Sequence, residues 1–423
     1  MKSLFSRYDH IFIRNLLLIG ALGFIAHFIL SIVVSPIPQS DALDYHEHAL
    51  RLAETHAYTA NGFPTAYRPI GFPALLSFFY MIWPSTIFGY ALQSFLVSIS
   101  ALLIALILKE YDAGNAISYA GSTLYLLLPM TWMQSMTFMS EPLAIMCMLM
   151  SVFIHIAFQG TRSRIVEGLF WGIAVLTRPI MIFSVIAVLI HDSLKDNNMK
   201  TSIAFASGII IAILPWMMRN TYVLGSPMIA SNTGINLFIG HNPEANGSYK
   251  FVDEMRRFDG QSEVQANASA FTSAMHYILN DPLHSLFLIP KKIAFLFASD
   301  AYLPLQSLRI EGDTYRERMQ NLPWWSYLLM IPGGFIMFLG VSHGTMLLQN
   351  NQGLRNSAII IGMIIPCTLF FGTPRYHEPM IPFLLIAMML GYAQNKKLLG
   401  SMTLFALAFP ILWLIEYVMI FFL

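Results

Sequence analysis

The first residues that could do chemistry are carboxylates that follow the first apolar run of the chain. Asp41 and Asp44 are three residues apart, with Glu47 close behind. In a helix, that spacing places Asp41 and Asp44 on the same face. A carboxylate there could act as a general base toward an acceptor hydroxyl. The alternative is helix capping, since Asp is also favoured in a first helical turn. Asp41, and with it Asp44, is therefore a candidate catalytic residue.

A further acidic position is Glu141, which stands between Ser140 and Pro142. Proline suits the first turn of a helix, so this tripeptide predicts a helix start. Glu141 is then either a capping carboxylate or a group that faces Asp41 and helps to hold a substrate or a polar network. The residues alone leave both interpretations open, and Glu141 joins Asp41 and Asp44 as a candidate catalytic residue.

Four arginines lie beside apolar segments: Arg68, Arg178, Arg219 and Arg375. A guanidinium group binds phosphate through a planar fork and stays protonated. Several of them converging would suit a lipid phosphate or a pyrophosphate. The alternative for each is an arginine near a helix end whose charged head reaches the membrane interface. Tyr67 and His377, close to Arg68 and Arg375 in sequence, are further candidates for substrate binding.

The remaining polar residues do not indicate a metal or a cofactor. His46 and His48 are two residues apart, which directs their rings to different faces of a helix. Cys147 and Cys367 both lie in apolar runs, so neither a disulfide nor a cysteine metal site is expected. The sequence has no glycine-rich nucleotide loop. We therefore expect no metal, no cofactor and no direct use of ATP or a nucleotide sugar.

Membrane helices are the elements that must position these residues. The 423 residues are 56% apolar and only 11% charged, with a mean hydropathy of +0.60. A soluble globular chain has about 25% charged residues, so this composition excludes soluble domains. Intrinsic disorder needs the opposite bias. The formal net charge of +1 offers no basic excess for nucleic acid.

Apolar runs of about 20 residues predict membrane helices, and we expect about 11 of them. The chain is then an all-α polytopic membrane protein with a single integral membrane domain over residues 1–423. The run at 71–108 is expected to be broken at Pro84. The predicted spans are residues 15–34, 71–108, 116–133, 142–158, 165–176, 180–190, 202–218, 324–348, 357–371, 381–392 and 399–422.

The polar segment at 35–70 is the first of two expected to hold interfacial helices. Its sequence from Ser40 onward predicts a capped amphipathic helix. Leu43, Leu50 and Ala53 would fall on one side of that helix.

The second polar segment covers residues 220–322. Its apolar stretch at 284–298 is interrupted by Pro290, Lys291 and Lys292. Two lysines at mid-bilayer are costly, which favours an interfacial or re-entrant helix over a span.

Cationic loops set the orientation. Lys2, Arg7 and Arg14 precede the first span, which predicts a cytoplasmic N-terminus. We expect the apolar run at 15–34 to be a retained membrane helix rather than a cleaved signal peptide. The candidate site residues then fall on the opposite, outer face. The later cations that alternate as cytoplasmic are Lys109, Arg162, Arg164, Lys195, Lys200, Lys396 and Lys397.

These residues occur in runs that resemble GT-C-type glycosyltransferases, above all the bacterial branch related to aminoarabinose transferase and protein O-mannosyltransferase. The run at 40–73, with Asp41 and Tyr45, resembles the first outer loop of that family. The likeness covers about the first 250 residues and the segment 375–382. Further matches follow in order at Ser140-Glu-Pro, Leu176-Thr-Arg-Pro, Pro215-Trp-Met-Met-Arg-Asn, Gly234-Ile-Asn-Leu-Phe-Ile-Gly-His-Asn-Pro and Arg375-Tyr-His-Glu-Pro.

The resemblance implies an enzyme of envelope glycan biosynthesis. It would move a sugar, with inversion, from a polyprenyl-phosphate donor to a glycan, lipid or protein acceptor outside the bacterial inner membrane. The catalytic Asp of the family matches Asp41, four residues before Tyr45, and a second acidic position matches Glu141. Positions associated with the lipid phosphate match Arg178 and Arg219. One departure is Ile70, where the family often has proline.

Transport is the alternative function. Charged residues and broken helices in a membrane protein also suit a transporter or flippase of a sugar or lipid-linked sugar. Transporters usually contain internal repeats, and no fixed-period repeat is visible in this sequence. The candidate charges also gather at one face rather than at the midplane, which favours a transferase.

Overall fold

The computed structural model describes residues 7–196, 199–250, 252–299, 310, 317, 320–329, 331–347 and 351–394. Most of the described chain is helical, and several helices are long and apolar enough to cross a membrane. The architecture is that of an all-α membrane protein. Within the described residues, the strands are a two-residue hairpin, Thr59–Ala60 with Phe63–Pro64.

Helices are numbered here in chain order. They are α1 (His10–Val34), α2 (Ser40–Thr55), α3 (Gly71–Tyr80), α4 (Thr86–Glu110), α5 (Asn115–Leu127), α6 (Pro129–Met136), α7 (Glu141–Ala157), α8 (Thr161–Thr177), α9 (Ile182–Asp196), α10 (Met199–Leu224), α11 (Thr233–Gly240), α12 (Glu263–Asn280), α13 (Pro282–Leu296), α14 (Trp324–Leu328), α15 (Ile331–Leu347), α16 (Asn351–Leu369) and α17 (Ile381–Gln394).

Helix length limits how many membrane spans can be assigned. In the described part of the chain, α1, α4, α10 and the stretch Trp324–Val341 are long and apolar enough to cross a membrane. The pair α6 and α7, bent by 118°, adds a fifth if it is one span. By contrast, α7 and α8 each have 17 residues. That is about 26 Å, less than a hydrocarbon core of about 30 Å. These lengths do not show about 11 spans, and the predicted span 399–422 lies outside the described residues.

Proline marks two interruptions in the predicted spans. The break expected at Pro84 is confirmed, because α3 ends at Tyr80 and α4 begins at Thr86. The single span predicted at 116–133 is wrong, since α5 ends at Leu127 and a new helix begins at Pro129. Proline lacks a backbone N–H and suits a first helical turn, which explains this second interruption.

A buried glutamine on α4 fixes the bend between α6 and α7. The Nε2 of Gln93 donates to the carbonyls of Thr137 and Met139, each at 2.8 Å. Gln93 itself is fully buried. The bent segment leaves backbone carbonyls without helical partners, and a buried carbonyl needs a donor. Because Gln93 supplies it, the first residue of α7, Glu141, is held at a defined place.

Glycine brings α8 close to its neighbours. A Cβ on Gly168 would lie 2.0 Å from the carbonyl oxygen of Phe205 on α10, and one on Gly208 would lie 2.1 Å from that of Ile165. Small residues at such a contact let two helix backbones approach. At the end of α8, a Cβ on Gly71 would lie 2.3 Å from the Oγ1 of Thr177. The segment that follows α2 is thereby placed next to the end of α8.

The helix α2 is present, and the face that it buries carries small and aromatic residues. The buried residues are Ala42, Tyr45, His48 and Ala49, and Tyr45 contacts Phe72 of α3 edge to face at 5.9 Å. Leu43 is 39% exposed, while Leu50 and Ala53 are partly buried. Alanine allows α2 to lie closer to α3 than leucine would.

The capped helix start predicted at Ser40 is wrong. The residue at the N-cap is Gln39, and its side chain makes no capping hydrogen bond. Asp41 lies in the first turn of α2.

The second polar segment contains α11, α12 and α13. Residues on α11, α12 and the turn before α12 form a small core of their own: Leu237, Phe238, Val252, Phe258, Ala270 and Ala274. The stretch predicted to be interfacial or re-entrant forms α13, and its Lys292 is buried. The Nζ of Lys292 lies 3.2 Å from the carbonyl of Thr368 in the last turn of α16. A cation is favourable at the C-terminal end of a helix.

Candidate active site

The structure brings six of the predicted site residues into one continuous ion cluster, here called the open cluster. Each residue lies at or near the end of an element: the first two turns of α2, the first turn of α7, the residue after α8, the turn before α17, and the segment before α3. The six are Asp41, Asp44, Arg68, Glu141, Arg178 and Arg375.

Carboxylates and guanidinium groups alternate along the open cluster. The Nη2 of Arg68 lies 2.6 Å from Asp41 and 2.7 Å from Asp44. The Nη1 of Arg375 lies 2.5 Å from the other oxygen of Asp41, and its Nε donates to Glu141. Arg178 donates to the same Glu141. With three carboxylates and three arginines, the cluster has no formal net charge.

Exposure rises from one end of the open cluster to the other. The side chains of Glu141 and Arg178 are 1% and 7% exposed. Those of Arg375, Asp41 and Asp44 are 20%, 25% and 45% exposed. Glu141 is therefore a buried carboxylate that pairs with two arginines. Asp41 lies at the exposed edge of the open cluster, where a substrate can reach it.

Two arginines keep Asp41 ionised. Burial by itself would raise the pKa of Asp41, but the charges of Arg375 and Arg68 more than offset it, and the pKa lies below its ordinary value. In this arrangement Asp41 is a weak base. Its basicity would rise if another anion drew the arginines away, because an opposite charge nearby is what lowers a carboxyl pKa.

Arg178 has unused hydrogen-bonding capacity. Its Nε is buried and has no hydrogen-bond partner among the described residues. The guanidinium carbon lies 5.9 Å from the ring centre of Tyr376. A buried N–H without a partner is unfavourable, so an acceptor such as a phosphate oxygen would stabilise this side chain.

Arg219 lies outside the open cluster. Its guanidinium donates to the carbonyls of Thr65 and Tyr58, each at 2.7 Å, and to the side chain of Asn220. It also stacks on Trp216, 4.9 Å from the ring centre. Through these contacts, Arg219 holds the backbone of residues 58–65 in place.

Tyr67 and His377, the other two candidates for substrate binding, lie in different surroundings. Tyr67 is 40% exposed, and the guanidinium carbon of Arg68 lies 5.2 Å from its ring centre. Tyr67 is thus at the open edge. His377 is fully buried, and its Nδ1 is hydrogen-bonded to the carbonyl of Leu296 at the end of α13.

The histidines of α2 contact neighbouring segments. The Nδ1 of His46 lies 2.8 Å from the hydroxyl of Tyr80, and that of His48 lies 3.1 Å from the carbonyl of Thr59. In the part of the chain that the structure describes, no group of three or more His, Cys, Asp or Glu side chains could hold a metal ion.

Sequence reasoning missed a second ion cluster, here called the closed cluster. It consists of Arg164, Glu167, Asp192 and Arg355. Arg164 was expected to be a loop cation, but it lies 2.6 Å from Glu167 and 2.5 Å from Asp192. Arg355 contacts the same two carboxylates. One sequence signal was available, because Arg164 and Glu167 are three residues apart on a helix.

No family model matches the chain, and no curated protein matches it. The assignment of a function therefore depends on the residues of the open cluster and on their arrangement.

Proposed function

We propose that the chain is a GT-C-type glycosyltransferase. It moves a sugar from a polyprenyl-phosphate donor to an acceptor hydroxyl, with inversion, at the end of the bundle that carries the open cluster. The observation that supports this most is the pairing of Asp41, a partly exposed carboxylate, with Arg68 and Arg375. A base and phosphate-binding groups are thus adjacent. The full proposal includes about 11 spans, an extracytoplasmic site and the bacterial inner membrane.

Phosphate binding exchanges one set of ion pairs for another. The donor phosphate accepts hydrogen bonds from Arg68 and Arg375, the two arginines at the exposed edge, and from the Nε of Arg178, which has no partner among the described residues. Arginine binds phosphate oxygens in a forked geometry. As the arginines turn toward the phosphate, Asp41 loses part of the positive charge that holds its pKa down. The added negative charge raises that pKa further.

The chemical step is then a single displacement. Asp41 accepts the proton of the acceptor hydroxyl, and the oxygen attacks the anomeric carbon of the sugar. The bond from that carbon to the phosphate oxygen breaks, and its electron pair leaves with the polyprenyl phosphate. One base suffices for inversion, whereas retention would require a nucleophile and a separate acid/base. The arginines stabilise the charge that develops on the leaving phosphate.

Glu141 has a supporting role in this scheme. It is buried and contacts both Arg178 and Arg375. A buried carboxylate between two arginines keeps them in place before the phosphate arrives, because uncompensated cations at such a site would repel each other. Glu141 is not at the accessible edge, so we assign it to positioning rather than to proton transfer.

Transport of a lipid-linked sugar is the second candidate, and one observation favours it. The pair α6 and α7 is bent by 118°, and discontinuous helices are common at transporter sites. Against transport, the open cluster lies at helix ends rather than near helix centres.

Transfer in detergent separates the two candidates. Purified protein is incubated with a radiolabelled polyprenyl-phosphate hexose and with glycan, lipid and peptide acceptors. The proposal predicts a labelled acceptor, and an Asp253→Asn variant, changed at a 90% exposed carboxylate, should retain full transfer. Detergent leaves no second compartment, so transfer there is not transport. Absence of transfer to every acceptor, together with movement of the labelled donor across vesicles, would favour a flippase instead.

A further inference from the structure

Arg68 enters the open cluster from a segment with little regular structure. The short hairpin before it turns at Asn61 and Gly62, which have φ values of 51° and 81°. Asparagine and glycine tolerate the left-handed conformation that such a turn requires. Between the hairpin and α3, the chain has no helix of its own to hold the arginine. Its position must therefore be set by contacts with other parts of the molecule.

Glu263, the first residue of α12, makes three of these contacts. Its carboxylate accepts hydrogen bonds from the hydroxyl of Thr65 at 2.7 Å and from the backbone N–H of Ala66 at 2.8 Å. It also accepts one from the hydroxyl of Ser231. The N–H of Ser231 in turn donates to the carbonyl of Ala66 at 3.0 Å. One carboxylate thus joins α12, the segment before α11 and the segment that carries Arg68.

The other side of the same segment is held independently. Arg219 donates to the carbonyls of Thr65 and Tyr58. The hydroxyl of Tyr58 donates to the carbonyl of Arg68 at 3.0 Å, and its ring packs edge to face on Trp216 at 5.3 Å. The backbone of residues 58–68 is therefore held by contacts from both α10 and α12, and Glu263 makes the contacts from α12.

We propose that Glu263 is a positioning residue. Its carboxylate fixes residues 65–66 so that the guanidinium of Arg68 bridges Asp41 and Asp44. The consequence for catalysis rests on the proposed transferase function, but the anchoring itself does not. The helices α11 and α12 share a small core of their own, so they are expected to move together. Because Glu263 joins α12 to residues 65–66, the position of this pair of helices affects the position of Arg68.

Three variants test this proposal. Glu263→Ala removes all three hydrogen bonds. Glu263→Gln keeps them, because its oxygen can accept from Ala66 and Ser231 while its amide donates to the hydroxyl of Thr65. Glu244→Ala is the matched control, since Glu244 precedes α12 and forms only an exposed pair with Lys250 among the contacts described.

The first measurement is amide hydrogen exchange of residues 57–68 in the purified full-length protein. We expect exchange at least about tenfold faster in Glu263→Ala, because each hydrogen bond to a charged group contributes about that factor to a local opening equilibrium. Glu263→Gln, whose hydrogen bonds are neutral, should exchange at a rate between those of Glu263→Ala and the wild type, and Glu244→Ala should exchange as the wild type does. If Glu263→Ala does not fold, Thr65→Val removes one of the same contacts and should speed exchange to a smaller extent.

The second measurement is affinity for a short-chain polyprenyl phosphate in detergent. We expect binding about three- to tenfold weaker in Glu263→Ala and a smaller loss in Glu263→Gln, since a displaced Arg68 no longer shares its charge with the site. Unchanged exchange in Glu263→Ala overturns the proposal, and so does faster exchange with full affinity. A wild type that does not bind polyprenyl phosphate would contradict the proposed function, while the exchange data would still decide the role of Glu263.

Discussion

The open and closed clusters have the same chemistry but different access to solvent. Both alternate arginines with carboxylates, and neither has a formal net charge. Side chains of the closed cluster are at most 9% exposed. In the open cluster, Arg178 and Glu141 are just as buried, but Arg68, Arg375, Asp41 and Asp44 are between 18% and 45% exposed. A buried ion cluster holds helices together, whereas in a solvent-accessible cluster a charged ligand can replace one member of an ion pair.

Helix direction separates the two clusters. Glu167 lies in the first half of α8, and Arg178 follows its last residue. Eleven residues of helix correspond to about 16 Å along the axis. In the same way, Arg355 lies in the first turn and a half of α16, and Arg375 follows its end. The clusters therefore occupy opposite ends of the bundle, and the open one includes residues of the polar segment at 35–70.

The largest effect on stability should come from the closed cluster. In Glu167→Gln, both Arg164 and Arg355 lose a fully buried carboxylate. Removing one partner of a buried ion pair costs about 3–5 kcal/mol. Denaturant unfolding in detergent would measure this loss, and transfer per folded molecule should be retained. A variant as stable as wild type would show that the closed cluster does not hold α8, α9 and α16 together.

A smaller effect, on binding, should come from the open cluster. We expect Arg178→Lys to bind polyprenyl phosphate about tenfold more weakly, because lysine lacks the planar fork and the free Nε. The matched variant Arg164→Lys changes the closed cluster, and it should lose stability but keep phosphate affinity. If Arg178→Lys and Arg164→Lys weakened polyprenyl phosphate binding equally, the open cluster would not be the phosphate-binding one.

The smallest effect is the acid dependence of stability. The pKa of Asp41 in the folded protein is below its ordinary value: burial would raise it, and the charges of Arg375 and Arg68 overcome that effect. A group with a lowered folded pKa stabilises the fold above its unfolded pKa of about 3.9 and loses that contribution as pH falls further. The stability difference between wild type and Asp41→Asn should therefore be constant from pH 7 to pH 5 and shrink at lower pH. A difference that already shrinks between pH 7 and pH 5 would indicate a raised pKa.

Much of the open cluster could be predicted from the sequence because its members lie next to helix ends. Asp41 follows an apolar run, Glu141 precedes one, and Arg178 follows another. Successive helices alternate in direction, so residues at such positions meet at the same end of a bundle. The order of apolar runs was therefore enough to group them.

Contacts that depend on tertiary packing could not be predicted. The partners of Arg219 are backbone carbonyls of residues 58 and 65, and their direction is set by the turn at Asn61 and Gly62. Glu167 and Arg355 are far apart in sequence, and nothing in either local pattern relates them. The face of α2 that packs on α3 carries Ala42, Tyr45 and Ala49, and the pattern of leucines in the sequence does not indicate that face.

Polyprenyl phosphate binding by Asp41→Asn tests the central claim most directly. In the wild type, Asp41 competes with the phosphate for Arg68 and Arg375. We therefore expect the variant to bind polyprenyl phosphate a few-fold more tightly, while transfer falls by about 10²–10⁴-fold through loss of the general base. An Asp41→Asn protein that binds no more tightly than the wild type, or that transfers sugar at the wild-type rate, would contradict this account.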